Sequence, residues 1–141
     1  MGITIRRIRE SDCGQAAVIW RDVLDIVNAT PESVAEIYRE MEKNSDYRTY
    51  VAEADGKVVG LAAAVKVLAV GHPGGYIKMN GIGVLPEYRR RGIARELLRR
   101  VIAEARAYGC GTVQITASDM GVLLYTDFGF VKNGNFMQYK L

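Results

Sequence analysis

The fold of this chain turns on one stretch, Val84-Leu85-Pro86-Glu87-Tyr88-Arg89-Arg90-Arg91-Gly92-Ile93-Ala94. Upstream, Asn80 to Val84 reads as an apolar strand. Downstream, apolar residues recur at helical spacing. A proline turn joins the two and leads into a basic run at the helix start. The first N–H groups of a helix have no internal acceptor, and the aligned peptide dipoles add partial positive charge there. Such ends attract phosphate. Gly92 and Ala94 are small where a phosphate must approach the backbone closely. The stretch reads as a diphosphate-binding turn.

Three consecutive arginines also fit a solvated surface or a nucleic-acid patch. Here the run is short, lies between a strand and a helix, and is interrupted by Gly92. That context favours phosphate. Gly81-Ile82-Gly83 does not complete a dinucleotide fingerprint, because Pro86 stands where the third glycine belongs. The phosphate-loop pattern ending in Gly-Lys-Ser/Thr is absent.

Arg89-x-x-Gly92-x-Ala94, after Val84-Leu85-Pro86-Glu87-Tyr88, resembles the acetyl-CoA signature of the GNAT N-acetyltransferase superfamily, Gln/Arg-x-x-Gly-x-Gly/Ala. Leu124-Tyr125-Thr126-Asp127-Phe128-Gly129-Phe130 resembles its second signature, Leu-Tyr-x-x-x-Gly-Phe. Two motifs in the right order are far more specific than either alone. The resemblance implies an α/β (mixed α+β) fold: a central, mostly antiparallel mixed sheet flanked by helices, with splayed fourth and fifth strands. It implies one N-acetyltransferase domain over residues 1–141, acetyl-CoA as cofactor, and direct transfer to a primary amine of a small molecule or peptide. Members of the family often form homodimers.

The resemblance also assigns roles. Backbone amides from Arg90 through Arg91, Gly92, Ile93 and Ala94 to Arg95 would cradle the diphosphate, with side-chain help from Arg89, Arg90 or Arg95. Ile82, Gly83 and Val84 would pair by backbone with the pantetheine arm, as a peptide adds to a strand edge. A backbone N–H near Val84 would face the oxyanion; one such donor is worth roughly 3 kcal/mol. Tyr125 would stand by the cofactor sulfur, either as general acid or as a packing surface. A phenol with a reference pKa of about 10 is protonated at neutral pH and can donate to a thiolate. Ser118 stands where many members have Asn, and Gly121 where they have Ala. Ser118 retains one hydrogen bond to offer the pantetheine.

No general base is evident. Tyr76 to Val84 carries no carboxylate, only Lys78 and Asn80 besides Tyr76. Asp119 and Glu87 are near in sequence but fit solvated loops, so a water chain is the expected route for the amine proton. Val122 and Leu123 should make the approach to Tyr125 apolar. The missing strand carboxylate also suits a rival reading, a non-catalytic acyl-CoA-binding sensor.

Composition sets outer limits. The chain has 141 residues, 49% apolar and 25% charged, as in an ordinary globular domain. It has no run of some 18 apolar residues that would cross a membrane. Met1 to Arg7 alternates into charge, so no signal peptide is expected, and Arg6 breaks a myristoylation pattern at Gly2. Cys13 and Cys110 match no metal spacing and are expected to be reduced, in a cytoplasmic protein; His72 is the lone histidine, and no metal is expected. The net charge of +3 is split: residues 1–55 carry −4 and residues 56–141 carry +7. The basic half suits an anionic cofactor. The acidic half would favour a cationic amine if its carboxylates faced the acceptor, though solvent-facing helices explain them equally. No nucleic-acid partner is expected.

Along the chain, Ile3 to Ile8 should be a strand. A helix capped by Ser11 or Asp12 should follow, with a core stripe of Ala16, Ile19, Trp20, Val23 and Val27. Thr30-Pro31 opens a second helix with Val34, Ile37, Tyr38 and Met41 inward. Tyr47–Ala54 and Val58–Val70 should pair about Asp55-Gly56. Residues 71–75 read as a turn, and Tyr76–Val84 as a strand whose Gly81 and Gly83 mark either a ligand's approach or a bulge. A helix from about Arg91 to Tyr108 should bury Ala94, Leu97, Leu98, Val101, Ile102 and Ala105, with Glu96 paired to Arg100. A strand over Thr112–Ala117, a short helix over Gly121–Asp127 and a final hairpin about Asn133-Gly134 should complete the chain.

Overall fold

A computed structural model describes residues 2–141. Five strands form one sheet in the order β1-β2-β3-β4-β5: β1 (Ile3–Arg7), β2 (Tyr47–Ala54), β3 (Lys57–Ala69), β4 (His72–Val84) and β5 (Thr112–Ile115). The first four pair antiparallel; β4 and β5 run parallel. Four α-helices flank the sheet: α1 (Cys13–Asp22), α2 (Pro31–Glu42), α3 (Ile93–Ala107) and α4 (Asp119–Phe128). The mixed α/β architecture expected from the signatures is present.

The sheet is buried on both faces. Ile93, Leu97, Leu98, Val101 and Ala105 of α3 pack against Tyr50, Ala52, Ala62 and Met79. On the other face, Ala16 and Ile19 of α1 pack against Val51, Val58 and Leu61. Small side chains in β3, Ala62 and Ala64, face α3. The α3 stripe repeats at helical spacing, and its removal from water drives this half of the fold.

Several local expectations change. Asp12 does not cap α1 with its side chain. Its buried carboxylate instead accepts from Arg6 Nη1 at 2.7 Å, Arg6 Nη2 at 3.0 Å and the Arg9 amide at 2.7 Å. A single-turn 3₁₀ segment at Glu10–Asp12 makes this possible. The hydrogen bonds from Arg6 hold the Asp12 carboxyl below its ordinary value. α1 ends at Asp22, so Val27 falls beyond it and is 84% exposed. Thr30 does cap α2, accepting from the Ser33 amide at 3.0 Å. Ile37 is exposed on that helix. Glu96 pairs with Arg99, three residues on, and Arg100 pairs with Glu104 at 3.5 Å.

β4 begins at His72, so the expected turn over 71–75 lies mostly inside it. The final hairpin does not form. Among the described residues no strand follows α4. Gly134 has a turn-like φ of +74°, but Val131, Phe136, Met137, Tyr139 and Leu141 are exposed. With no face buried, nothing fixes a register between the two arms.

Candidate cofactor and acceptor cleft

The site lies where the sheet comes apart. β5 follows β4 from Tyr76↔Thr112 to Met79↔Ile115, and pairing stops there. The expected strand over Thr112–Ala117 therefore ends two residues early, and Asn80 to Val84 has no partner on that side. At the same point β4 bulges: Ala63 faces Gly81 and Ala64 faces Met79, leaving Asn80 as the extra residue. A bulge bends a strand and interrupts its ladder, which is how the fourth and fifth strands splay.

The two glycines after the bulge serve side-chain packing. A Cβ on Gly81 would lie 2.9 Å from Trp20 Cζ3, and one on Gly83 would lie 3.0 Å from Val23 Cγ1. The bulge reading holds, with a second cause beside it. The end of α1 and the residues after it lie directly on β4.

A cleft of about 450 Å³ opens beside this unpaired edge. At one end stands the basic turn. Gly92 is the residue before α3 and is left-handed (φ +78°); Arg90 is left-handed too (φ +63°). Turns of this alternating kind make backbone concavities that bind anions. No side chain caps α3, and its first internal bond runs from Glu96 N–H to Gly92 O at 3.1 Å. The amides of Ile93, Ala94 and Arg95 therefore lack intrahelical acceptors.

The turn is braced from outside. Tyr88 donates to Asp55 Oδ2 at 3.0 Å, pinning the turn to the β2–β3 hairpin. Lys57 and Arg91 both lie against the Tyr88 ring, at 5.1 and 5.0 Å from its centroid. Arg89 donates through Nε to the Val84 carbonyl at 3.2 Å, which locks the turn to the end of β4. Arg95 is ion-paired with Asp127 and so joins α3 to α4.

Opposite the turn, α4 supplies Tyr125 and Ser118. The Ser118 hydroxyl caps α4, accepting from the Gly121 amide at 3.1 Å. This cap lengthens the expected helix to Asp119–Phe128. Its own proton is left to donate. Tyr125 is half-buried, stacks obliquely on Phe130 at 5.7 Å and lines the cleft. Burial pushes its phenol above the ordinary value. Gly121 lies under the Tyr125 ring: a Cβ there would meet Cε2 at 2.7 Å. The departure from Ala at this position is thus tied to where the tyrosine sits.

The structure brings the proposed site residues together around one cleft, with a single exception. Ile82, Gly83, Val84, Arg89, Arg90, Gly92, Ile93, Ala94, Arg95, Ser118 and Tyr125 all line it; Arg91 does not, and its guanidinium lies over Tyr88. Leu123 is 78% exposed and lies off the cleft; Met120 and Leu124 form that wall. Val23 and Leu24 were not foreseen either. They come from the end of α1, and no local pattern ties them to the signatures. Met120, Gly121 and Leu124 were within reach, since they sit one to five residues before Tyr125 on a helix that Ser118 caps.

A parallel strand pair that parts beside an uncapped helix start defines an α/β fold with an open strand edge next to a basic turn. Comparison with known proteins gives the family. Residues 16–130 match the Acetyltransferase (GNAT) family, and the chain belongs to it. The fold matches that of a transcriptional regulator from Bacillus halodurans C-125, with a TM-score of 0.91, 21% identity, and 99% of this chain and 100% of that one covered. It matches an acetyltransferase of Trypanosoma brucei with a TM-score of 0.86 at 20% identity, covering 99% and 100%. It also matches aminoglycoside enzyme AAC(6')-Iy, solved with the bisubstrate analogue CoA-S-monomethyl-acetylneamine, with a TM-score of 0.84 at 19% identity, covering 100% and 99%.

Proposed function

We propose that residues 1–141 act as one acetyl-CoA-dependent N-acetyltransferase domain that passes an acetyl group directly to a primary amine. The observation that carries this reading is the uncapped α3 start, with left-handed Arg90 and Gly92, opening onto the unpaired edge of β4. The two features fit the two ends of one ligand. The α3 amides and Arg90 would take the diphosphate. The free edge over Ile82–Val84 would pair with the amide-bearing arm. The cleft volume is that of a small-molecule site.

Acetyl-CoA supplies the acyl group already activated as a thioester, and amine attack forms an amide while the C–S bond breaks. The chain's residues align and stabilise. The end of β4, held by Arg89, offers backbone donors near Val84 to the developing oxyanion. Tyr125 Oη gives its proton to the departing sulfur. Ser118 donates its hydroxyl proton to the arm. The amine proton leaves by water, because among the described residues no carboxylate or histidine lines the cleft. That last observation also favours a second reading, a module that binds acyl-CoA without turnover. We place the protein in the cytoplasm, where its two cysteines would stay reduced.

Tyr125→Phe tests the acid role. We expect kcat to fall about 100-fold with acetyl-CoA affinity unchanged. Since burial raises the phenol's pKa, the wild-type kcat should hold as pH rises to about 10, with the proton still on the ring. Unchanged kcat in the variant would reduce Tyr125 to a packing surface. Acetyl-CoA binding with no CoA release across an amine panel would select the sensor.

A further inference from the structure

We infer that the acceptor taken by this cleft is a monoamine with an apolar or aromatic tail, and not a polycation. The inference rests on the transfer reading above and goes on to name the substrate class. Besides the basic turn, the cleft is walled by Val23 and Leu24, which follow α1, by Ile82 of β4, and by Met120 and Leu124 of α4. Among the described residues, the formally charged side chains lining the cleft are Arg89, Arg90 and Arg95. No carboxylate faces it.

The acidic half of the sequence does not reach this wall. Asp12 and Glu53 are both bound to Arg6, and Asp22 is paired with Arg21 at 2.9 Å. Asp127 is paired with Arg95. Asp25 and Asp119 are exposed and lie outside the cleft lining. An acceptor with several ammonium groups would lose water there and meet no carboxylate to replace it. An acceptor with one amine and an apolar tail buries that tail against four aliphatic side chains and Met120. The same wall disfavours the ammonium form of the reacting amine, since desolvation penalises the charged state. It thereby favours the neutral nucleophile at a site without a side-chain base.

The test separates acceptor binding from turnover. Protein saturated with CoA is titrated calorimetrically with phenethylamine, spermidine and kanamycin, and CoA release from acetyl-CoA is measured with the same amines. Phenethylamine should bind at least tenfold more tightly than either polycation. Met120→Glu, at an exposed position that tolerates charge, should cut that ratio by tenfold or more. Tighter binding of spermidine or kanamycin, or binding of none of the three amines, would overturn the inference. If the amines bind in the expected order but no CoA is released, the acceptor preference stands and the transferase reading fails.

Discussion

The two ends of the cleft are built from different materials. The proposed cofactor end is backbone: two left-handed residues, an uncapped helix start and a bare strand edge, braced from behind by Tyr88 and Arg89. The proposed acceptor wall is side chains: Val23, Leu24, Met120 and Leu124, contributed by elements about a hundred residues apart in sequence. A backbone cradle holds any ligand with the right phosphates, and a few residues in one stretch specify it. A side-chain wall is set by packing between helices and is free to vary without disturbing the cradle. The difference explains how one family fold can keep a cofactor while changing acceptors.

If the ends are independent, damage to α1 should reach the acceptor and spare the cofactor. Asp12→Asn removes the charge that Arg6 grips beneath the start of α1. It should cost about 3 kcal/mol in chemical denaturation, the usual loss when one partner of a buried pair goes. Acetyl-CoA affinity, measured where the variant is folded, should stay within about twofold. The pair also sets an acid limit. Arg6 holds the Asp12 carboxyl below its unfolded value, so the pair stabilises the fold at neutral pH. That contribution is lost as pH falls below about 4, and the variant should lack this acid-sensitive part of the wild-type curve. Equal loss of acetyl-CoA binding would break the comparison.

A smaller effect is expected at Gly81. Gly81→Ala forces a Cβ against Trp20 and should cost about 2 kcal/mol. Trp20 is the single tryptophan, so its emission should shift with the substitution. The amine KM should rise and the acetyl-CoA Kd should not. The smallest effect lies on the boundary between the two ends. Gly121→Ala pushes on the Tyr125 ring and should lower kcat about tenfold with little change in either affinity, a misplacement effect. A larger effect on acetyl-CoA affinity would show that Tyr125 belongs to the cradle.

The same contrast governs what could be read in advance. Arg89, Gly92 and Ala94 sit in one short stretch, and their spacing carried the cradle. The left-handed Arg90 was not foreseen, because nothing in its side chain demands it. For Gly81 and Gly83 the sequence leaves a ligand's approach or a bulge open; the register shift at Asn80 shows the bulge, and the packing of Trp20 and Val23 on the glycines is invisible to strand periodicity. Ser11 or Asp12 fits a helix cap because a short polar residue before a helix commonly is one, but Arg6 on the adjoining strand β1 outbids the helix amides for Asp12. The hairpin over 130–141 rested on Asn133-Gly134 alone; a turn signal cannot form a hairpin whose arms bury nothing.

The most direct test of the cradle is calorimetric titration of the wild type and Gly92→Glu with acetyl-CoA. The substitution places a side chain at a left-handed φ of +78° and a negative charge beside the diphosphate. The wild type should bind, and the variant should bind about 1,000-fold more weakly, or about 4 kcal/mol, while remaining folded. Absence of binding in the wild type, or equal affinity in the two, would contradict the assignment of this turn.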